Sequence, residues 1–203
     1  VKLKTLVSAG AGKIVLDLRG CADGSAANGA TVANYFLSDG VIYYSRNREG
    51  EKVLVVEADP EKTITLLPAA VLINGSTAGA AEIIAGALKD GRRATVVGER
   101  SFGLGSEQKT IPLKSGALLV LSTAKYCTPG GTIIQDDGAR KTGIEPDLES
   151  PDSERRQDLA VESYYDEDDD GKYQRLQEKV EQIQLEKALE ILLGENIPAK
   201  IAA

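Results

Sequence analysis

The chain has 203 residues, 42% of them hydrophobic, which is enough for one domain with a buried core. It carries 31 acidic and 24 basic residues, and this net charge of −7 disfavours binding to the phosphate backbone of nucleic acids. It contains no histidine, which excludes the histidine-dependent serine and cysteine hydrolase mechanisms, and no apolar run is long enough to span a membrane.

The sequence contains two cysteines, Cys21 and Cys127, which form no CxxC motif. Without histidine they complete no zinc site, so we predict no metal and no cofactor. We expect both thiols to be buried and structural, with a disulfide or a reactive thiol as the alternative. The sequence has no methionine and no secretory signal, so we expect Val1 to begin a mature or trimmed fragment.

The first third of the chain alternates strand-like and helix-like patterns. Residues 13–19 form an apolar run with a polar end, which predicts a buried strand that leads into the tight turn at residues 20–24. Residues 26–37 carry apolar side chains at helical spacing, and Gly40 follows as a stop signal. The next strands are predicted at residues 41–45, 52–56 and 63–67.

A buried strand, a turn of small residues and a helix follow in the middle of the chain. The strand covers residues 69–73, the turn residues 75–81 and the helix residues 82–89. Free N–H groups at the start of such a helix form an anion or oxyanion site, although the same pattern also fits plain close packing of strand on helix. Later strands are expected at residues 94–97 and 118–124.

We divide the chain into a core domain, residues 1–150, and a tail, residues 151–203, made of an acidic linker and an amphipathic helix. Residues 166–170 are all acidic, which suits a solvated approach to the helix N-terminus, with a calcium site as the alternative. The helix is predicted over residues 173–193 and ends before Gly194. Its apolar stripe is expected to dock on the core or, alternatively, to bind a partner or a second copy. The stripe consists of Leu176, Val180, Ile183, Leu185, Leu189 and Leu192.

Two segments carry the strongest functional signal. Residues 74–82 read NGSTAGAAE, and residues 101–108 read SFGLGSEQ. They resemble the active-site core of the C-terminal processing (tail-specific) serine protease family, whose segments read N-x-G-S/T-A-S-A-S-E and T-F-G-K-G-x-x-Q. In that family the first serine of the A-S-A-S run is the nucleophile and the lysine is the general base. The family spacing of 25 residues between these positions is kept.

Further matches to the family occur in the same order along residues 13–147. They are LDLR at 16–19, ANYFL at 33–37, EIIAGALKD at 82–90, AKY at 124–126 and GIEPD at 143–147. The resemblance implies an α/β spiral core of the crotonase and caseinolytic protease type with a C-terminal helix, an extracytoplasmic location, and cleavage of unfolded or C-terminal segments of polypeptides. Family members usually carry a PDZ-like domain before this core. Nothing in this sequence resembles one, so we expect it to be absent from the protein or missing from this chain.

The catalytic pair of the family is replaced at the aligned positions. Gly79 stands at the nucleophile position and Leu104 at the base position, so the pair offers neither an attacking atom nor a titratable group. Gln108 keeps the position that orients the lysine in the family.

The resemblance places the oxyanion and substrate-binding positions at Asp23, Gly24 and Ala80. The family reads D-L-R-x-N-P-G-G in the first turn, whereas residues 17–24 read DLRGCADG. The Asp23 carboxylate would oppose a developing oxyanion because the two charges have the same sign.

We favour a pseudo-protease that binds extended polypeptide in the old cleft or serves as a scaffold. The alternative is an active serine-type endopeptidase whose nucleophile has moved to Ser76 or Thr77, with a core lysine as its base. A third interpretation is a structural subunit whose cleft is unused. The expected partners are a polypeptide ligand and, through the C-terminal helix, a second copy or an assembly partner.

Overall fold

Two four-stranded sheets and four α-helices form the part of the chain that the computed structural model describes, namely residues 2–135, 142–149 and 172–194. In chain order the elements are α1 (Lys2–Ser8), β1 (Ile14–Asp17), α2 (Ala26–Asn34), β2 (Val41–Arg46), β3 (Lys52–Glu57), β4 (Ala69–Ile73), α3 (Ala80–Asp90), β5 (Ala94–Gly98), β6 (Ser106–Pro112), β7 (Leu118–Cys127), β8 (Leu148–Glu149) and α4 (Lys172–Leu193). The fold is mixed α/β with a C-terminal helix, as predicted.

The parallel sheet forms the centre of the fold. Its strand order is β1-β4-β5-β8, and all neighbouring strands run parallel. Helices α2 and α3 cover one face, where Val71 and Ile73 belong to the main core, and α4 covers the other face, where Ala70 and Leu72 pack against Ala188. Burial on both faces explains why β4 is an uninterrupted apolar run instead of an alternating one.

The antiparallel sheet has the order β3-β2-β7-β6, so β3 and β6 are its edges. Strand β2 joins the main core through Ile42 and Tyr43, and the ring of Tyr43 meets that of Tyr126 edge to face at 5.4 Å. The β6–β7 hairpin extends beyond the end of β2. Apolar side chains are exposed along this hairpin: Leu113, Leu118, Leu119, Val120 and Leu121.

The parallel strands bring the functionally interesting segments together. Strands β1, β4 and β5 all end at the same edge of the sheet, and residues 18–25, 74–79 and 99–105 follow them there. Ligands of open parallel sheets bind at this carboxyl edge. The three segments that resemble family motifs therefore meet at one place in the fold.

The strand predicted at residues 63–67 is wrong, because this segment forms no ladder in the described structure. The amides of Ile64 and Thr65 donate to the carbonyl of Tyr35, at 2.9 and 3.0 Å. The Arg93 guanidinium donates to the carbonyls of Thr65 and Leu67. A half-buried arginine and a loop carbonyl thus satisfy the backbone groups that a neighbouring strand would otherwise pair.

Helix α4 packs across β4 and β5. Its innermost residues are Val180, Gln184 and Ala188, each 1% exposed or less. Leu189 of the predicted stripe is exposed, because the buried face follows the four-residue spacing of these three residues. The docking of the helix on the core agrees with the prediction, whereas its role as a partner surface and the domain boundary at residue 150 stay predictions.

Two further predictions concern the cysteines and the acidic segment of the tail. Cys127 is buried as expected, but Cys21 is exposed in the turn after β1, so the prediction of two buried thiols is wrong for Cys21. Both thiols are free. The acidic segment at residues 166–170, with its calcium alternative, lies outside the described residues.

Candidate active site

The turn between β4 and α3 is a tight elbow held by its own side chains. The Thr77 hydroxyl accepts a hydrogen bond from the Asn74 amide at 3.0 Å and donates one to the Leu18 carbonyl at 2.9 Å. The Asn74 side chain accepts from the amides of Gly20 and Ser76, each at 3.1 Å. These bonds tie the turn after β1, residues 18–25, to the elbow. Thr77 has no exposed surface.

Gly79 sits at the apex of the elbow, immediately before α3. Its backbone has φ 61° and ψ −116°, a conformation that favours glycine. A Cβ atom placed there with ideal geometry lies 4.0 Å from Leu104 Cδ2 and 3.9 Å from the Gly24 carbonyl oxygen. A side chain at position 79 would therefore have room, and it would meet the side chain at position 104. The structure thus brings together the two positions that the resemblance assigns to nucleophile and base.

The buried carboxylate of Glu82 clamps the two segments to each other. It accepts hydrogen bonds from the amides of Gly103 and Leu104, each at 2.7 Å, and from the Gly79 amide at 3.0 Å. It also accepts one from the Ser101 hydroxyl, which in turn accepts from the Ile144 amide at 2.6 Å. Glu82 therefore holds the Leu104 segment against the start of α3.

The environment of Glu82 changes its proton affinity. The side chain is fully buried, and this burial raises its pKa above the usual value, although its four hydrogen-bond donors act in the opposite direction. Glu82 was not among the site residues predicted from the sequence. The available signal was an acidic residue at the third position of a helix that follows a small-residue turn, which is typical of a capping interaction.

The positions expected to bind an oxyanion lie beside the elbow. A Cβ placed on Gly24 would be 3.2 Å from Ala80 Cβ, so these two residues are in contact. Within the described ranges, the Ala80 amide has no acceptor, as expected for the first turn of a helix. The Gly24 amide donates to Asp23 Oδ1 at 2.7 Å. The carboxylate of Asp23 therefore occupies a donor of the kind that an oxyanion would need.

The remaining candidates lie farther from the Gly79 apex or are engaged elsewhere. Ser76 is exposed, and the cleft beside it is lined by Asp17, Arg19 and the tail helix. Lys89 donates to the Glu145 carbonyl at 2.6 Å and forms an ion pair with Asp147 at 3.2 Å. Gln108 is exposed on β6 opposite Ser122, so its side chain lies outside the clamp formed by Glu82.

In the described residues, three or more His, Cys, Asp or Glu side chains nowhere gather as candidate metal ligands. None of the described helices has the length and apolar character of a membrane span.

Peptidase family S41 matches the chain over residues 2–150, and the chain belongs to this family. The class that the fold and the site define is thus a serine peptidase family domain.

Several curated proteins share this part of the chain. It is 44% identical to the carboxy-terminal-processing protease of Bartonella bacilliformis over 134 residues, which cover 66% of this chain and 30% of that protein. It is 38% identical to the chloroplastic carboxyl-terminal-processing peptidase 2 of Arabidopsis thaliana, with coverages of 74% and 28%. It is 32% identical to the carboxy-terminal processing protease CtpA of Bacillus subtilis, with coverages of 88% and 37%. The chain therefore spans about a third of the length of these relatives.

Solved structures agree with the family assignment. The photosystem II D1 C-terminal processing protease superposes with a TM-score of 0.65 at 32% identity, covering 72% of this chain and 36% of that one. Mature CPAF superposes with a TM-score of 0.60 at 15% identity, covering 91% and 46%, and at this identity the likeness concerns the fold alone.

Proposed function

We propose that this chain is a pseudo-protease domain that binds extended polypeptide in the cleft between the Gly24 turn, the Gly79 elbow and the Leu104 segment. The observation that carries the proposal is the meeting of Gly79 and Leu104. A Cβ atom at position 79 would lie 4.0 Å from the Leu104 side chain, yet glycine supplies no attacking atom and leucine supplies no base.

The surroundings of this pair support a binding role. Leu104 is 45% exposed and Phe102, two residues before it, is 63% exposed, so two exposed apolar side chains lie on the segment that follows β5. An exposed apolar surface beside the Ala80 amide, which is free among the described residues, fits an extended polypeptide, which offers both side chains and carbonyl groups. Asp23 adds a negative charge beside Gly24, which disfavours the oxyanion of an acyl transfer reaction but tolerates a neutral peptide group.

The competing proposal, an active peptidase with a displaced nucleophile, is less well supported. Thr77 is fully buried, and its hydroxyl is engaged in two hydrogen bonds. Ser76 is exposed, but the cation in the cleft beside it is Arg19, which stays protonated and therefore supplies no base. The third interpretation, an unused cleft, differs from ours in predicting no saturable binding of peptide.

The relatives are named as carboxy-terminal processing proteases, so we propose unfolded or C-terminal segments of polypeptides as the ligand class. We also propose an extracytoplasmic location on the same basis. Both proposals concern the whole protein, because this chain spans only about a third of the length of these relatives.

The decisive experiment compares the native chain with a Gly79→Ser/Leu104→Lys variant on an unfolded polypeptide with a free C-terminus, with products identified by mass. The matched control is Gly79→Ala/Leu104→Lys, which has the same backbone strain and the same lysine but no hydroxyl. We expect the native chain and the control to leave the polypeptide intact, and the serine variant to cleave it. Adding Asp23→Asn to the serine variant should increase kcat, because a carboxylate no longer faces the oxyanion.

Binding and activity of the native chain are then measured separately. Saturable binding of the same polypeptide by the native chain supports the pseudo-protease, and absence of binding favours the unused cleft. Cleavage by the native chain that is lost in Ser76→Ala or Thr77→Ala would overturn the proposal and favour the displaced nucleophile.

A further inference from the structure

Strand β3 is an edge of the antiparallel sheet with an unusually apolar surface. Within the described ranges it pairs with β2 alone. Its central residues Val53, Leu54 and Val55 are 55%, 44% and 46% exposed. An exposed apolar edge offers unpaired backbone groups to another strand, and proteins usually protect such edges with charges, proline or bulges.

The two faces of β3 follow from its register. Lys52 pairs with Arg46, and Val55 pairs with Tyr44, which lies two residues from Arg46 on β2. Directly paired residues share a face, so Lys52 and Val55 lie on the same side of the sheet. The Lys52 ammonium agrees with this assignment, since it lies 4.2 Å from the Tyr44 ring centroid.

The other β3 residues complete the pattern. Glu57, two residues after Val55, shares its face, whereas Leu54 and Val56 lie on the opposite face. The register skips Val53, which marks a bulge and places Lys52 one ladder position before Leu54. Counted in paired positions along the ladder, Lys52 lies two positions before Val55 and Glu57 lies two positions after it.

We propose that the chain forms a twofold-symmetric dimer in which β3 pairs antiparallel with β3 of a second copy, joining two four-stranded sheets into one of eight strands. A twofold axis perpendicular to a sheet preserves the faces, so it has to pass beside one residue that faces its own copy. With Val55 on the axis, valine faces valine, Leu54 faces Val56 of the second copy, and Lys52 faces Glu57 of the second copy.

Other registers lack this complementarity. An axis at Leu54 places Lys52 opposite Val55, and an axis at Val56 places Glu57 opposite Val55, so each sets a charge against an apolar side chain. Only the Val55 register of these three matches apolar with apolar and positive with negative, which is the pattern that stabilises cross-strand pairs. The other edge, β6, carries the polar run Glu107, Gln108, Lys109 and Thr110 at its centre, and it is therefore the less suitable edge for an apolar contact.

The symmetry gives a sharp test, because a charge at position 55 faces its own copy. Sedimentation velocity of the full chain over a wide concentration range should show a monomer–dimer equilibrium. Val55→Lys and Val55→Glu should each weaken dimerisation at least about tenfold through like-charge contact, and an equimolar mixture of the two should restore it as a heterodimer. Val120→Lys, on the exposed part of β7, is the matched control and should dimerise like the native chain.

A second measurement does not depend on the native affinity. Directly opposed residues of an antiparallel pair have Cα atoms about 4.5–5.5 Å apart, within the range of a disulfide. In a Cys21→Ser background, Val55→Cys should therefore oxidise to a covalent dimer, whereas Val120→Cys should do so several-fold less. A native chain that stays monomeric at every concentration, or cross-linking that is equal at the two positions, would overturn the proposal and leave β3 to a different partner.

Discussion

The frame of the cleft and its surface have opposite characters. The frame consists of Glu82 and the backbone donors around it, in which both carboxylate oxygens are engaged and the side chain is fully buried. The surface consists of Gly79, Leu104 and Asp23. Gly79 offers no nucleophile and Leu104 offers no base. The Asp23 carboxylate already accepts from the Gly24 amide, a donor of the kind that an oxyanion would need. A fully engaged buried frame and a surface without nucleophile or base thus lie within a few ångströms of each other.

The difference shows which constraints act on each part. A buried carboxylate that loses its donors is costly in any folded protein, so stability alone is sufficient to keep Glu82 and its partners. Side chains that border the cleft touch solvent and can change at little cost to folding. The frame therefore contributes to the stability of the fold, whereas the cleft surface determines which chemistry the site can perform.

The largest expected effect comes from removing the frame. Glu82→Ala leaves three backbone amides and the Ser101 hydroxyl without their acceptor in a buried place, and we expect a loss of about 3–5 kcal/mol in the free energy of unfolding. Urea unfolding followed by far-UV circular dichroism measures this loss. The matched control is Glu61→Ala, an exposed acidic residue, which should cost less than about 0.5 kcal/mol. Similar losses in the two variants would contradict the description of the frame.

A smaller effect is expected at the surface. Gly79→Ala adds a methyl group where neighbours lie 3.9 Å away or more, so its cost comes from the backbone conformation alone, about 1–3 kcal/mol. Gly20→Ala is the matched control, because that glycine also has a positive φ and an added Cβ meets nothing within 4 Å. We expect comparable losses in urea unfolding. A much larger loss for Gly79→Ala would mean that the cleft has no room for a side chain.

Much of the fold could be predicted from the sequence because the relevant signals are local. The uninterrupted apolar run of β4 and the small-residue turn before α3 fix a buried strand, an elbow and a helix. Strand β6 was not predicted, because its sequence, SEQKTIP, carries polar residues on both faces. It becomes a strand by pairing with β7. The segment at residues 63–67 looks like a strand but is held by Arg93, which is distant in sequence.

The same distinction applies to the site. The resemblance to the family motifs was enough to assign Gly79 and Leu104. In the structure, a Cβ atom on Gly79 would lie 4.0 Å from the Leu104 side chain. The clamp could not be predicted in the same way, because Glu82 acquires its role only when residues 101–104 fold back onto the start of α3. The exposure of Cys21 could not be predicted from the composition either, because it depends on how the turn after β1 faces solvent.

The smallest expected effect is a pH dependence that belongs to Glu82 alone. Burial raises its pKa in the folded chain above the usual 4.5, so the folded state holds this proton more tightly than the unfolded state does. The resulting stabilisation is fully present below pH 4.5 and is lost as the pH rises through the folded pKa, by about 1.4 kcal/mol for each unit of difference between the two pKa values. Glu82→Gln has a similar shape and does not titrate, so the difference in unfolding free energy between the native chain and this variant should fall with rising pH and then level off. A difference that rises with pH would show that the four hydrogen bonds to the carboxylate outweigh its burial.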